Sequence, residues 1–274
     1  MSNLFCFAGY AKERSKWPGR CYAIFPFLVL AALYLYASYA RLSENPQDKL
    51  LPSIAQMVEA TQQMAFTPDK RSGEYLLWQD SFASLKRIFI GMGAASLVGL
   101  CLGILCGLFA FFRSLLIPFI VFISIIPPLA ILPILFVAFG VDELAKVMLI
   151  FIGVAPVITR EMFLAAKNFP LELLTKAMTL GANPWQVCVR IVLPQLIPRL
   201  LETVRLSLGS AWIFLIAAEA IASTDGLGYR IFLMRRYLAM DVIIPYVFWI
   251  TILGFAFDFI IIRFILWRYP WFMK

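Results

Sequence analysis

Side chains able to do chemistry are few in this sequence. Among 274 residues there is no histidine, which removes histidine-based metal sites and a histidine general base. Cys6, Cys21, Cys101, Cys106 and Cys188 show no metal-ligand spacing, so no metal site is expected, and Cys101 and Cys106 sit in an apolar run as small hydrophobes. No G-x-x-x-x-G-K-[ST] phosphate cradle occurs. What remains is two carboxylates inside apolar stretches, Glu219 in LIAAEAIAS and Asp258 in GFAFDFIII. An acid at membrane depth costs about 3 kcal/mol and is usually functional or paired. An acid lining an anion path would repel its cargo. Glu219 is therefore expected in a structural or gating ion pair, with Arg87, Arg230, Arg235 or Arg236 as partner. Asp258 is expected to reach the inner interface.

A second chemical feature is the polar stretch from Pro170 to Pro198, broken by Pro170, Pro184, Pro194 and Pro198 between apolar runs. Pro170 suits a first helical position and Glu172 complements the positive helix end. Glu172 and Lys176 stand four apart in the favourable order. Leu173, Leu174, Ala177 and Met178 make an apolar face. Gly181 is placed to cap that helix in a left-handed conformation. Asn183, Pro184 and Gln186 then read as the cap, first turn and capping-box partner of a second helix, expected to run until Pro194. The result is two helices joined by a Gly-Ala-Asn elbow, and the first, short and stiff, suits docking into a partner's groove or is an ordinary loop helix.

The elements that position these residues follow from composition. The chain is 62% hydrophobic and 15% charged, against roughly half and a quarter in soluble domains. That excess means a polytopic membrane protein, and without strand alternation the spans are helices. The net charge of +8 reads as basic cytoplasmic loops and not as nucleic-acid binding. Six spans are expected: Cys21–Ala40, Ile88–Phe112, Ser114–Gly140, Lys146–Ala165, Leu200–Ser223 and Val242–Phe264. The first, at 20 residues, is longer than a signal-peptide core of about 7–15 and is read as an uncleaved helix. A polar stretch with amphipathic pieces such as IAQMVEATQQM follows it. Lys12, Arg14, Lys16 and Arg20 precede the first span, Arg113 lies at the second turn, and Arg263, Arg268 and Lys274 close the chain. These charges put both termini and the Lys176 stretch in the cytoplasm, with Arg230, Arg235 and Arg236 dissenting. The expected divisions are a cytoplasmic tail (1–20), a first span with its outer amphipathic segment (21–80), a transport core (81–268) and a cytoplasmic tail (269–274).

Within the second span Gly91, Ala95, Gly99, Gly103 and Gly107 recur every fourth residue on one face. Small residues so spaced let backbones approach, either within the bundle or at a dimer interface. The third span contains Pro127, Pro128 and Pro133. Broken backbone at membrane depth is tolerated where it is buried in protein or lines a cavity, so this segment reads as a solute pathway or as a simple kink.

The Lys176 stretch resembles the cytoplasmic signature of permease subunits of bacterial ATP-binding-cassette importers: Glu-Ala-Ala, three residues, Gly, nine residues, Ile-x-Leu-Pro. Gly181 and Ile191-Val192-Leu193-Pro194 match it. Lys176-Ala177-Met178 departs from Glu-Ala-Ala, and two residues rather than three precede Gly181. SFASLKRIFIG resembles the Ser-Leu-x-Arg start of such a permease's transport core, and IIPPLAILPILFVAFGVDELAK and SAWIFLIAAEAIASTDGLGY are similar to the nitrate/sulfonate/taurine/bicarbonate branch, so the resemblance covers Ser81 to Arg268. It implies a type I importer permease fold in the bacterial inner membrane and no catalysis in this chain. It also implies a second copy of the chain, two cytoplasmic ATPase subunits that bind ATP and Mg, and a periplasmic solute-binding protein. Leu173, Lys176, Ala177, Met178, Gly181, Ala182 and Asn183 would carry ATPase coupling. The implied cargo is a small anion such as a sulfonate, taurine, nitrate or bicarbonate. Ser124, Pro127, Pro128, Ser207, Ser210 and Trp212 are candidate pathway residues, since hydroxyls and a ring N–H donate hydrogen bonds to an anion without trapping it. A self-sufficient secondary transporter or channel would instead need internal repeats and midplane ion sites. An intramembrane enzyme would need a nucleophile–base pair, and neither feature stands out.

Overall fold

A computed structural model describes residues 16–45, 48–69, 73–221 and 223–272, with side chains from residue 24 onward. The basic tail residues Lys12, Arg14, Lys16 and Arg20, and also Cys6, Cys21 and Lys274, lie outside the described side chains. The described elements are helices: α1 (Lys16–Glu44), α2 (Ile54–Phe66), α3 (Leu76–Leu108), α4 (Ala110–Ile125), α5 (Pro128–Phe139), α6 (Glu143–Lys167), α7 (Leu171–Thr179), α8 (Pro184–Val187), α9 (Leu193–Ile221), α10 (Leu227–Arg235) and α11 (Met240–Arg268). Five of them are long and apolar enough to cross a membrane, or six spans if the bent pair α4–α5 counts as one.

Helix α1 carries the first apolar run and turns into the amphipathic α2. The Tyr34 hydroxyl donates to the Pro52 carbonyl at 2.7 Å and the Ser38 hydroxyl to the Leu51 carbonyl at 3.0 Å. Ser53 and Gln56 form a full capping box at the start of α2, which satisfies two donors the helix end would leave orphaned.

The small-residue stripe settles between two helices of one chain. Gly91, Ala95, Gly99, Gly103 and Gly107 are all buried. A Cβ at Gly91 would stand 2.8 Å from Ile150, and one at Gly99 would stand 2.7 Å from Ile158. Gly103 abuts Met162 in the same way, and Gly107 abuts Ala166. The pairing advances in step along both helices, so α3 and α6 run side by side in the same direction. Fourfold spacing keeps every small residue on the face that touches α6. The same device recurs once more where Gly153 of α6 lies under the Phe214 ring of α9.

Three expectations about boundaries are corrected. The second span begins at Leu76 and not near Ile88, because Asp80, Ser84 and Arg87 find buried partners and need not leave the bundle. The third span is not one kinked helix: α4 and α5 meet at 98°. Pro127 and Pro128 bring two consecutive residues without N–H donors, and Ile126 before them is extended at φ −70°, ψ 122°, as a residue preceding proline prefers. The second helix of the polar stretch does not stop at Pro194. It passes through a π-helical turn, Cys188–Val192, in which the Leu193 N–H donates to the Cys188 carbonyl, and it continues as α9. The wider turn accommodates the missing donor and ring of Pro194.

Candidate functional site

Three regions of this frame could serve function, and the α7–α8 elbow is the most fully specified by its own residues. Pro170 sits at the N-cap of α7, one position before its expected place. Gly181 has φ +86°, the left-handed region that glycine enters without steric cost. Its N–H donates to Met178 O at 3.0 Å and that of Ala182 to Ala177 O at 3.1 Å, the two bonds of a Schellman cap. Asn183 and Gln186 then form a capping box with Pro184 in the first turn. Glu172 and Lys176 make no ion pair with each other among the described residues, against expectation. Both are exposed, where such a pair contributes little.

The elbow is apolar on two sides. Ala177 turns inward onto Val187, Val192, Leu196, Ala166 and Ile104. Leu173 and Met178 face outward instead, together with Leu171, Leu180 and Trp185, of which Leu180 is 88% and Trp185 74% exposed. The expected single face of Leu173, Leu174, Ala177 and Met178 is thus divided between bundle and surface. Lys176 and Asn183 are exposed beside them and Ala182 is half-buried. These exposed apolar side chains make the elbow a candidate interaction surface.

The second region is a cavity of about 480 Å³ between α4, α5, α6 and α9. Ser124, Pro128, Ser207 and Ser210 line it, so the structure brings four of the six pathway candidates together. Ser207 and Ser210 carry hydroxyls with no partner among the described residues. The Ser124 hydroxyl donates to the Val121 carbonyl at 2.7 Å. Pro127 and Trp212 are not part of the lining. Trp212 is buried toward α11, where a Cβ on Gly254 would lie 3.5 Å from its indole nitrogen. Among the described residues that nitrogen is the one buried side-chain polar atom without a hydrogen-bond partner.

The third region is the charged end of the bundle, opposite the elbow. Arg87 is 2% exposed and Glu219 fully buried, and they pair at 2.6 Å. Arg87 also holds Glu143 through two bonds of 2.6 Å and pairs with Asp225. Glu219 accepts further bonds from Ser84 at 2.8 Å and from the Gly228 N–H at 2.8 Å. Lys146 bridges Glu143 and Ser223. Beside this cluster Asp80, also fully buried, accepts from Arg230, the Gly226 N–H and the Tyr246 hydroxyl. Arg230 sits outside the spans; burial pulls its pKa down, but the Asp80 carboxylate, with smaller help from Tyr246 and Tyr229, holds it above its ordinary value. Gly226, at φ +113°, lies so close that a Cβ would meet Glu219 at 2.5 Å.

Of the four partners considered for Glu219, Arg87 is the one that binds it. Arg230 serves Asp80, and Arg235 lies over the Phe232 ring. Sequence reasoning missed Asp80, Glu143, Lys146 and Asp225. The signal was their placement at the outer ends of apolar runs, each within reach of another run's end. Asp258 pairs with Arg205 of α9.

The family described as "Binding-protein-dependent transport system inner membrane component" matches residues 99–271. The chain belongs to this family. As a membrane component of that kind it resembles proteins with several named cargoes. It is 35% identical over 182 residues to the taurine transport system permease protein of Escherichia coli (strain K12), covering 66% of this chain and 66%, just under two thirds, of that protein. It is 30% identical over 210 residues to the nitrate import permease protein of Synechocystis sp., covering 76% of each. It is 30% identical over 200 residues to the bicarbonate transport system permease protein of Synechococcus elongatus, covering 73% of this chain and 70% of that one. A solved chain of the MetNI methionine ABC transporter in inward-facing form superposes with a TM-score of 0.61 at 20% identity, over 72% of this chain and 98% of that chain. This membrane component therefore has the type I importer permease fold, with the elbow and the cavity both inside the matched stretch.

Proposed function

We propose that the chain is the pathway-forming permease subunit of an ATP-driven importer for a small polar solute. A second copy of the chain completes the pathway. Two cytoplasmic ATPase subunits, which hold ATP and Mg, dock on the α7–α8 elbow, and a periplasmic solute-binding protein delivers cargo at the charged end. Both termini and the elbow then lie in the cytoplasm.

One observation carries this reading. From the elbow, helix α8, which displays Trp185, continues without a break through the π turn into α9. Helix α9 also supplies Ser207 and Ser210 to the cavity. A push on the elbow therefore moves the cavity wall as part of one rigid rod. The names of the relatives support a sulfonate such as taurine, nitrate or bicarbonate as the cargo class.

The test is a double substitution at the tip, Leu180→Glu with Trp185→Glu. Both side chains are mostly exposed, so folding and membrane insertion are expected to be retained while energy-dependent uptake is lost. Uptake at the unsubstituted rate would refute the docking role.

A further inference from the structure

The cavity between α4, α5, α6 and α9 adjoins a second one, of about 460 Å³, which Asn168, Gln195 and Phe272 help to line. Glu161 and Arg199 line both and so stand at the neck between them. Arg199 is already engaged, with Glu202 at 3.3 Å, and no other cation lines either cavity among the described residues. Glu161 is half-buried and makes no ion pair or hydrogen bond among the described residues. The neck therefore carries one uncompensated carboxylate.

We propose that Glu161 is a charge filter in the pathway, favouring solutes that carry an ammonium group beside their anionic one over bare anions. The proposal rests on the reading of this cavity as the pathway. Val157, Leu206 and Phe214 give the same cavity apolar lining. Low-dielectric walls focus a charge's field and strengthen its action on a passing ion several-fold over bulk water. A bare anion meets repulsion at the neck. A zwitterion presents its ammonium group to Glu161 while the Ser207 and Ser210 hydroxyls remain free to donate to its anionic end.

The field at the neck is measurable without knowing the cargo. Leu206→Cys and Ser210→Cys each place a thiol in the cavity lining. Their reaction rates with a cationic and an anionic methanethiosulfonate are measured in the membrane-embedded complex, read on the peptide by mass spectrometry so that the five native cysteines do not interfere. The cationic-to-anionic rate ratio at Leu206→Cys is expected to exceed that of a free small thiol by about tenfold, the change that 1.4 kcal/mol produces. Adding Glu161→Gln is expected to return it to the free-thiol ratio. A ratio equal to the free thiol's, or one that Glu161→Gln leaves unchanged, overturns the filter. If neither position reacts from water at all, the cavity is not a pathway, and the reading beneath the proposal fails instead.

Discussion

Arg87 of α3 and Glu219 of α9 lie 2.6 Å apart at the charged end of the bundle, both shielded from solvent. They are 132 residues apart in sequence, and around them the Gly226–Gly228 turn is fastened by its own N–H groups to Asp80 and Glu219. The pair thus fixes α3, α9 and the turn into α10 as one unit. Buried pairs of this kind do not add much net stability, but removing one partner leaves the other charge uncompensated.

The two halves of the pair are not equivalent. Arg87→Met strands Glu219, whose remaining partners are neutral donors, and is expected to cost about 3–5 kcal/mol. Glu219→Gln leaves Arg87 with Glu143 and Asp225 and is expected to cost about half as much. Thermal unfolding of both variants in the same detergent orders them. A larger loss for Glu219→Gln would contradict this account.

The α3–α6 seam gives a sharp contrast between glycines. Gly103 abuts Met162, whereas a Cβ at Gly93 would have nothing within 4 Å. Gly103→Ala overpacks the seam and is expected to destabilise by about 1–3 kcal/mol. Gly93→Ala, on the open face of the same helix, is expected to be neutral or stabilising by up to about 1 kcal/mol. Unfolding midpoints of the two variants test this.

At the elbow, a Cβ on Gly181 would clash with nothing, so Gly181→Ala isolates backbone strain. The left-handed conformation costs an L-residue about 1–2 kcal/mol. The expected outcome is a loosened elbow, with several-fold weaker coupling of ATP hydrolysis to uptake and an unchanged global unfolding midpoint. Comparing hydrolysis and uptake in one preparation shows whether they separate.

In the cavity, Ser210→Ala removes a free hydroxyl and is expected to slow uptake several-fold. Ser124→Ala, whose proton is held by Val121, is expected to slow it less. Trp212→Phe removes an N–H that is buried without a partner, a group that costs about 1–3 kcal/mol. It is expected to preserve uptake and to raise stability. Uptake assays with matched expression, together with unfolding of Trp212→Phe, check all three.

The sequence was most legible where structure is local. Gly181, Asn183, Pro184 and Gln186 act through bonds to residues five or fewer positions away, so their spacing alone described the elbow. The Gly91–Gly107 stripe revealed its face but not its partner, since spacing within one helix says nothing about which helix lies against it. Pro127 and Pro128 located the break in the third span, while the 98° angle depends on what α4 and α5 pack against. Pro194 misled, because a π turn two residues earlier absorbed the defect that would have ended a regular helix. Asp80 with Arg230, and Glu143 with Arg87, stayed hidden because each pair is assembled only by tertiary packing.

Docking of an energy-supplying partner on the elbow, as proposed, predicts a stable complex. Gentle affinity purification of the chain from its own cells, with mass spectrometry of what accompanies it, tests this most directly. A stoichiometric companion bearing a G-x-x-x-x-G-K-[ST] motif is expected, lost when Leu180 and Trp185 are both changed to Glu. A chain that purifies alone, and still moves solute across vesicle membranes without ATP, would contradict it.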